Sequence, residues 1–153
     1  MVMRDLPSNV LLTRVSNAVA AGQAEIDATG VDMQGYDAVV FMAMFGSITG
    51  GAVTSLKAQA SDDDGSTDAY ASNDLLGTSV VVSDASDNKI AYLEIIRPRK
   101  RYVRAVILRA TQDSVVDGIL ALRYRKMGTL PVTQGTSVIA TSKIVTYPAV
   151  GTP

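Results

Sequence analysis

The chain has no cysteine, no histidine and no tryptophan, and only two phenylalanines in 153 residues. Without cysteine there are no disulfides, no thiolate metal sites and no thiol nucleophile. Without histidine, the commonest general base near neutral pH and the commonest metal ligand are both missing. A carbohydrate-binding face, which stacks sugars on aromatic rings, has little beyond six tyrosines to build with. Net charge is lacking too: at −1 there is no global field to draw the chain onto nucleic acid or an anionic membrane. No run approaches the roughly 18 apolar residues of a membrane span. The longest, Ala38–Phe45, has strand length. Near the N-terminus only Val10–Leu12 is apolar, which does not read as a signal peptide. A chain assembled in the cytosol, with no membrane partner, is expected.

What is present is a folded, strand-rich sequence. The hydrophobic fraction of 47% and the length suit one domain with a real core. Apolar runs broken by Gly, Asp, Asn and Ser recur through the chain, the pattern of an all-β protein. Residues 1–17 read as an N-terminal arm, in which Val10–Val15 is a short strand or a single helical turn. Residues 18–153 read as a single β-sandwich domain. The strand candidates are Val19–Ala28, Tyr36–Phe45, Ala52–Ala60, Thr78–Val82, Lys89–Ile96, Tyr102–Ala110, Ile119–Arg125 and Ser137–Tyr147. Between them, Gly30–Gly35 and Ser83–Asn88 are turns. Ser61–Gly77 is a long acidic loop with room for a short helix around Asp68–Leu76. Past Asp37, Tyr36–Phe45 is apolar on both faces, which places it at the centre of a sandwich or under a partner. About eight antiparallel strands in two sheets is the count of a jelly roll. An immunoglobulin-like sandwich is the alternative, without the Cys…Trp…Cys core that would support it.

The stretch Ala91–Arg125 is the densest. Six of the fourteen Lys and Arg residues fall between Arg97 and Arg109. Pro98 cannot donate to a sheet ladder and ends the strand before it. The stretch reads as a three-strand meander, turned at Pro98 and again over Gln112–Gly118. Arg97, Arg99, Lys100, Arg101, Tyr102 and Arg104 are candidate interface residues. Basic and aromatic residues on a sheet are also how single-stranded nucleic acid is held, but no RNA-binding motif accompanies them, and a net charge near zero argues against a dedicated binder. No specific nucleic-acid partner is expected. The acidic 61–87 region could instead meet the basic 97–126 region of a neighbouring subunit.

Chemistry is sparse. Asp62, Asp64 and Asp68 around Gly65 are the best metal candidates, since carboxylates at a glycine turn can supply hard oxygen ligands. The spacing fails the calcium-loop pattern, because placing Gly65 at loop position 6 puts Ala60 and Ala71 at the first and last ligand positions. A solvated acidic loop is the expectation, with no cofactor. Glu25 and Glu94, the only two glutamates, carry no mark of a glycosidase pair. Gly46–Ser47 and Gly65–Ser66 lack the frame of a serine nucleophile, and Gly46–Gly51 lacks the Lys and helix of a phosphate loop. No catalytic residue can be named, and an enzyme is not expected.

Several short motifs recur together: Arg97-Pro-x-Lys-Arg-Tyr-Val-Arg104, Arg109-Ala-Thr111, Val116-Asp-Gly118, Ala121-x-x-Tyr124, Pro131-Val132 and Tyr147-Pro-Ala-Val-Gly-Thr152. Leu56-Lys-Ala-Gln59, Asp74-Leu75 and Gly77-Thr78 precede them. As a set, over roughly residues 20–153, they resemble the capsid decoration proteins of tailed bacteriophages, also called cement or head-stabilising proteins. The resemblance implies a β-sandwich on the outside of an expanded shell, commonly a homotrimer, that locks neighbouring major capsid subunits together. It implies a virion location, host cytoplasm during assembly, and no catalytic or metal residues. Two other readings stay open: a minor head–tail or tail component, and a carbohydrate-binding module using Tyr92, Tyr102 or Tyr124.

Overall fold

The structure is a computed structural model that describes residues 6–124 and 132–138. After a single helical turn, α1 (Leu6–Asn9), ten strands follow. They are β1 (Leu11–Ser16), β2 (Val19–Gly22), β3 (Ile26–Asp27), β4 (Val31–Asp32), β5 (Ala38–Ile48), β6 (Val53–Ser61), β7 (Val80–Val82), β8 (Ile90–Ile96), β9 (Tyr102–Ala110) and β10 (Ser114–Tyr124). Two five-stranded antiparallel sheets face each other. Sheet A runs β1-β10-β5-β8, with β2 also on β10. Sheet B runs β3-β9-β6-β7, with β4 also on β9. Counting β1/β2 and β3/β4 as single interrupted strands, first pairs with last throughout: β1/β2 with β10, β3/β4 with β9, β5 with β8, β6 with β7. A long antiparallel ribbon wound in this way is a jelly roll. The all-β, two-sheet, jelly-roll expectation therefore holds.

The arm reading needs revising. Leu11–Ser16 is paired with β10, Leu12 opposite Leu122, and Val15 is buried in the core. The alternation of Thr13 and Val15 inward with Leu12 and Arg14 outward makes this segment part of the sandwich. The expected strand Val19–Ala28 is broken in two, because the chain leaves sheet A after Gly22 and enters sheet B at Ile26. The turn Gly30–Gly35 contains β4. The loop expected over Gln112–Gly118 is mostly strand, since β10 starts at Ser114 and absorbs Asp117-Gly118 as a bulge. Gly118 sits at φ +149, with space closed by the Ser16 carbonyl 3.2 Å from where a Cβ would stand.

The meander is the largest correction. β8, β9 and β10 are consecutive but none pairs with another: β8 and β10 flank β5 in sheet A, and β9 lies in sheet B. Each corner crosses the gap between sheets. Arg97 at φ 51 and Thr111 at φ 70 make these reversals just after β8 and β9. Most of the last strand candidate, Ser137–Tyr147, and the tail 148–153 lie outside the described residues, as do Arg125 and Pro131.

The core is the space between inner faces. Phe41 and Phe45 of β5, Ile119 of β10, Leu56 of β6 and Ile107 of β9 are all fully or almost fully buried there. Each such side chain contributes roughly 1.5–3 kcal/mol by leaving water. Two arginines close the core at its ends. Arg109, 7% exposed, donates to the main-chain carbonyls of Ala24 (2.7 Å), Ala20 (3.0 Å) and Ser114 (2.7 Å). It thus clips the crossover between β2 and β3 to β10. Burial pushes its guanidinium below the usual range, and Asp113 offsets part of that. At the other end Arg123 donates to the Asp32 carbonyl (2.6 Å) and Thr13 Oγ1 (3.2 Å), with its guanidinium 5.2 Å from the centre of the Tyr36 ring. Arg109→Met would strip three carbonyls of their donor. We expect it to lower unfolding stability by about 3 kcal/mol, at roughly 1 kcal/mol per lost bond. Urea titration with an unchanged slope checks this.

Candidate functional site

The basic run is mostly spent within the chain. Lys100 Nζ lies 2.6 Å from Asp68 and 3.8 Å from Asp62. Arg101 grips Asp32 through Nε (3.0 Å) and Nη2 (2.7 Å), and stands 5.1 Å from the centre of the Tyr102 ring. Arg104 Nη2 is 3.2 Å from Asp27, its Nε donates to Gln59, and its guanidinium sits 4.6 Å from the centre of the Tyr70 ring. Within the chain, Lys100 ties the basic run to the 61–87 region, while Arg101 and Arg104 use Asp32 and Asp27. Of the six interface candidates only Arg97 and Arg99 stand exposed at the β8–β9 corner without a charged partner among the described residues.

The acidic loop is a docked structure, not a solvated one. Asp63 accepts from the Thr67 and Asp68 main-chain N–H groups and from the Thr67 hydroxyl, which together hold its carboxyl well below the usual range. Asp68 accepts from Lys100, from the Asp62 N–H (2.7 Å) and from Asn73 (2.8 Å), and is lowered chiefly by Lys100. Asp64, at φ 59, accepts the Tyr70 hydroxyl at 2.7 Å. Burial, seconded by Asp64, raises the Tyr70 phenol. Tyr70 lies over Gly30, where a Cβ would come within 2.1 Å of its oxygen. Asp62 and Asp68 both face Lys100 while Asp64 turns to Tyr70, so the three do not converge as ligands. Among the described residues no group of three acids could hold a metal ion.

A different surface stands out. In sheet A the outward residues of the two central strands are apolar: Val40, Met42 and Met44 on β5, Leu120, Leu122 and Tyr124 on β10. The register sets them in rows. Leu12, Leu122 and Val40 stand side by side, and so do Leu120, Met42 and Tyr92. In β10 the pattern is the reverse of an ordinary surface strand, because Arg123 points into the sandwich while Leu120 and Leu122 point away from it. At the β8 side the patch runs into Ile90, Tyr92 and Ile96, which are 56%, 67% and 52% exposed. Val40, Met42, Met44, Leu120 and Leu122 are half-buried and Ala38 at the end of their row is fully buried, so the most exposed part of the patch lies on β8. An antiparallel sheet with one solvated face shows polar residues there, and extended apolar patches of this kind mark binding surfaces. The sequence signalled half of this, in the two-faced Tyr36–Phe45 run. The contribution of β10 stayed hidden, because Ile119–Arg125 alternates in either reading and only the fold says which face is inside.

The three tyrosines considered for sugar binding do not share a surface. Tyr92 and Tyr124 are on the outer face of sheet A, and Tyr102 is on sheet B beneath Arg101.

The docked loop has a definite pH signature. Asp32, Asp63, Asp68 and Asp74 are all held below the usual carboxylate range. Their contribution is fully present above the unfolded value of about 4 and is lost as pH falls through the lower folded values. Lys100 is raised, so its contribution is complete below about 10 and lost as pH climbs through the folded value. Lys100→Met should lower the thermal midpoint most between about pH 5 and 10, and the difference from wild type should shrink below about pH 4. Scanning calorimetry across that range tests it.

No protein-family model and no curated protein matches the sequence. Among solved structures, the chain is similar to one described under the heading "Bacillus endospore appendages form a novel family of disulfide-linked pili". The identity is 14% and the TM-score 0.43, over 76% of this chain and 88% of that one.

Proposed function

We propose that this chain is a non-enzymatic structural protein that docks on a large protein assembly through the outer face of sheet A. The assembly is the outside of an expanded tailed-phage capsid, and bound copies bridge adjacent major capsid subunits. The observation that carries this reading is the apolar outer face formed by Val40, Met42, Met44, Leu120 and Leu122. An extended apolar surface rimmed by polar residues marks a protein-contact site. No cofactor is required. The resemblance in the Arg97–Arg104 and Arg109–Tyr124 motifs supports the choice of partner. Those residues form the β8–β9 corner, the Arg109 clip and the Gly118 bulge, so what they share is largely the winding of the jelly roll.

The mechanism is mass action. A protein that binds the expanded shell and not its precursor stabilises the expanded form by its binding free energy. Many copies, each bridging two subunits, add that term around the shell. The protein is then found on the capsid surface, with the host cytoplasm as its place of assembly. Against a carbohydrate-binding role stands the separation of Tyr102 from Tyr92 and Tyr124 on opposite sheets.

Purified protein should co-sediment with expanded capsids that lack it and ignore unexpanded ones. Met42→Lys and Leu122→Lys, both on the outer face, should each weaken that binding more than about tenfold, the equivalent of losing one buried apolar side chain. Circular dichroism should stay unchanged. Wild-type protein that fails to bind expanded shells, or variants that bind as tightly as wild type, would refute the assignment.

A further inference from the structure

We propose that two copies of this chain pair antiparallel along β8, about a two-fold axis that joins their A sheets into one continuous sheet. β8 is an edge strand bonded only to β5. The Phe45 N–H donates to the Lys89 carbonyl (3.0 Å) and the Arg97 N–H to the Asp37 carbonyl (2.6 Å). In an antiparallel ladder this fixes the alternation: odd-numbered residues of β8 bond to β5 and even-numbered ones face away. The N–H and C=O groups of Ile90, Tyr92, Glu94 and Ile96 therefore point out of the sheet. They have no hydrogen-bond partner among the described residues.

Protein sheets usually guard such an edge with a bulge, a proline, inward charges or a covering loop. Here the β5–β8 register runs unbroken over seven residues, and Glu94 is the only charge within the strand. Grooves run along the edge on both halves of β8, one against β7 and a larger one of about 740 Å³ against residues 73–78.

The opposite edge of sheet A is closed. On β1, the Leu12 N–H donates to Gln134 Oε1 (2.9 Å) and the Arg14 N–H to Ser137 Oγ (3.3 Å). Among the described residues β8 is therefore the one long free edge of sheet A; the four-residue β2 on the other side has its Ala20 carbonyl taken by Arg109. A contact that uses one edge and leaves no second one must be isologous, the same edge on both copies, and it stops at two. Charge takes no side: with Ile90 opposite Ile96 of the mate, Arg97 stands beside Lys89, and Asp84 and Asp87 of the adjoining turn already accept the Gly51 and Ile48 N–H groups. The edges of sheet B offer strands of two or three residues, too short for β8 to build a three-fold ring upon. In this pairing the two-fold axis stands perpendicular to the sheet, so both apolar outer faces lie on the same side.

The test is sedimentation of the full chain over a range of concentrations, with amide hydrogen exchange read residue by residue. A dimer is expected, in which the Ile90, Tyr92, Glu94 and Ile96 amides become protected as the dimer forms. Glu94→Pro removes an N–H that β5 does not use, and Ile96→Lys charges an exposed position. Each should abolish the dimer while leaving circular dichroism and the thermal transition of the monomer cooperative. A wild-type chain that is monomeric or trimeric, a dimer whose four edge amides stay unprotected, or a dimer indifferent to both variants would overturn the proposal. Binding of capsids by the Glu94→Pro monomer would separate this contact from the docking face.

Discussion

The pairing of β5 with β10 is the constraint on which the rest of the molecule depends. These are the two longest strands, eleven residues each, and both carry apolar side chains on both faces. A sheet built around them has two surfaces that avoid water. The inner one is satisfied by sheet B: Leu56, Ala58, Val103, Ala105 and Ile107 close over Phe41, Phe45 and Ile119. The outer one has no counterpart among the described residues, and the functional reading grows from that imbalance.

Arginine settles how the ends of the core are sealed. A guanidinium inside a sandwich would ordinarily need a carboxylate. Arg109 and Arg123 instead use main-chain carbonyls that the winding of the chain leaves unpaired at the crossovers, at Ala20, Ala24, Ser114 and Asp32. Each solves two problems at once, because a crossover between sheets breaks the ladder and a planar cation with five donors repairs it. The acidic loop follows a related logic on the surface. Its carboxylates are spent on its own N–H groups, on Lys100 and on Tyr70, and so hold Tyr70 against Gly30 and Arg104. On the outer face of sheet B Gln59 and Val106 are buried, while on that of sheet A Val40, Met42, Leu120 and Leu122 stay half-exposed. The two faces of one sandwich thus have different fates.

The place of the basic run changes accordingly. As a string of letters it is the most conspicuous feature of the chain. In the fold, Lys100, Arg101 and Arg104 are tied to Asp68, Asp32 and Asp27, and Tyr102 packs beneath Arg101. Of the basic residues from Arg97 to Arg104, only Arg97 and Arg99 lack a charged partner among the described residues, and they do so at the end of the long edge at β8.

The sequence by itself determined the fold class, most strand positions and the absence of histidine or cysteine chemistry, because alternation, turn residues and composition are local properties. Tyr102–Ala110 reads as a strand from its pattern alone and is one, with the inward set Val103, Ala105 and Ile107 as the alternation implies. The two-faced apolar run in β5 was legible for the same reason. Only the tertiary structure decided what each corner does. Pro98 marks the end of β8 whether the chain folds back within a sheet or crosses to the other, so a meander and a jelly-roll winding look alike over Ala91–Arg125. Nor could alternation say that Arg123 faces in and Leu122 out, since a period of two has no preferred side until a second sheet supplies an inside. The pairing of Lys100 with Asp68, thirty-two residues apart, and the open edge of β8 rest on the same cause. Both are set by which strands become neighbours, and that is a long-range choice made by the core.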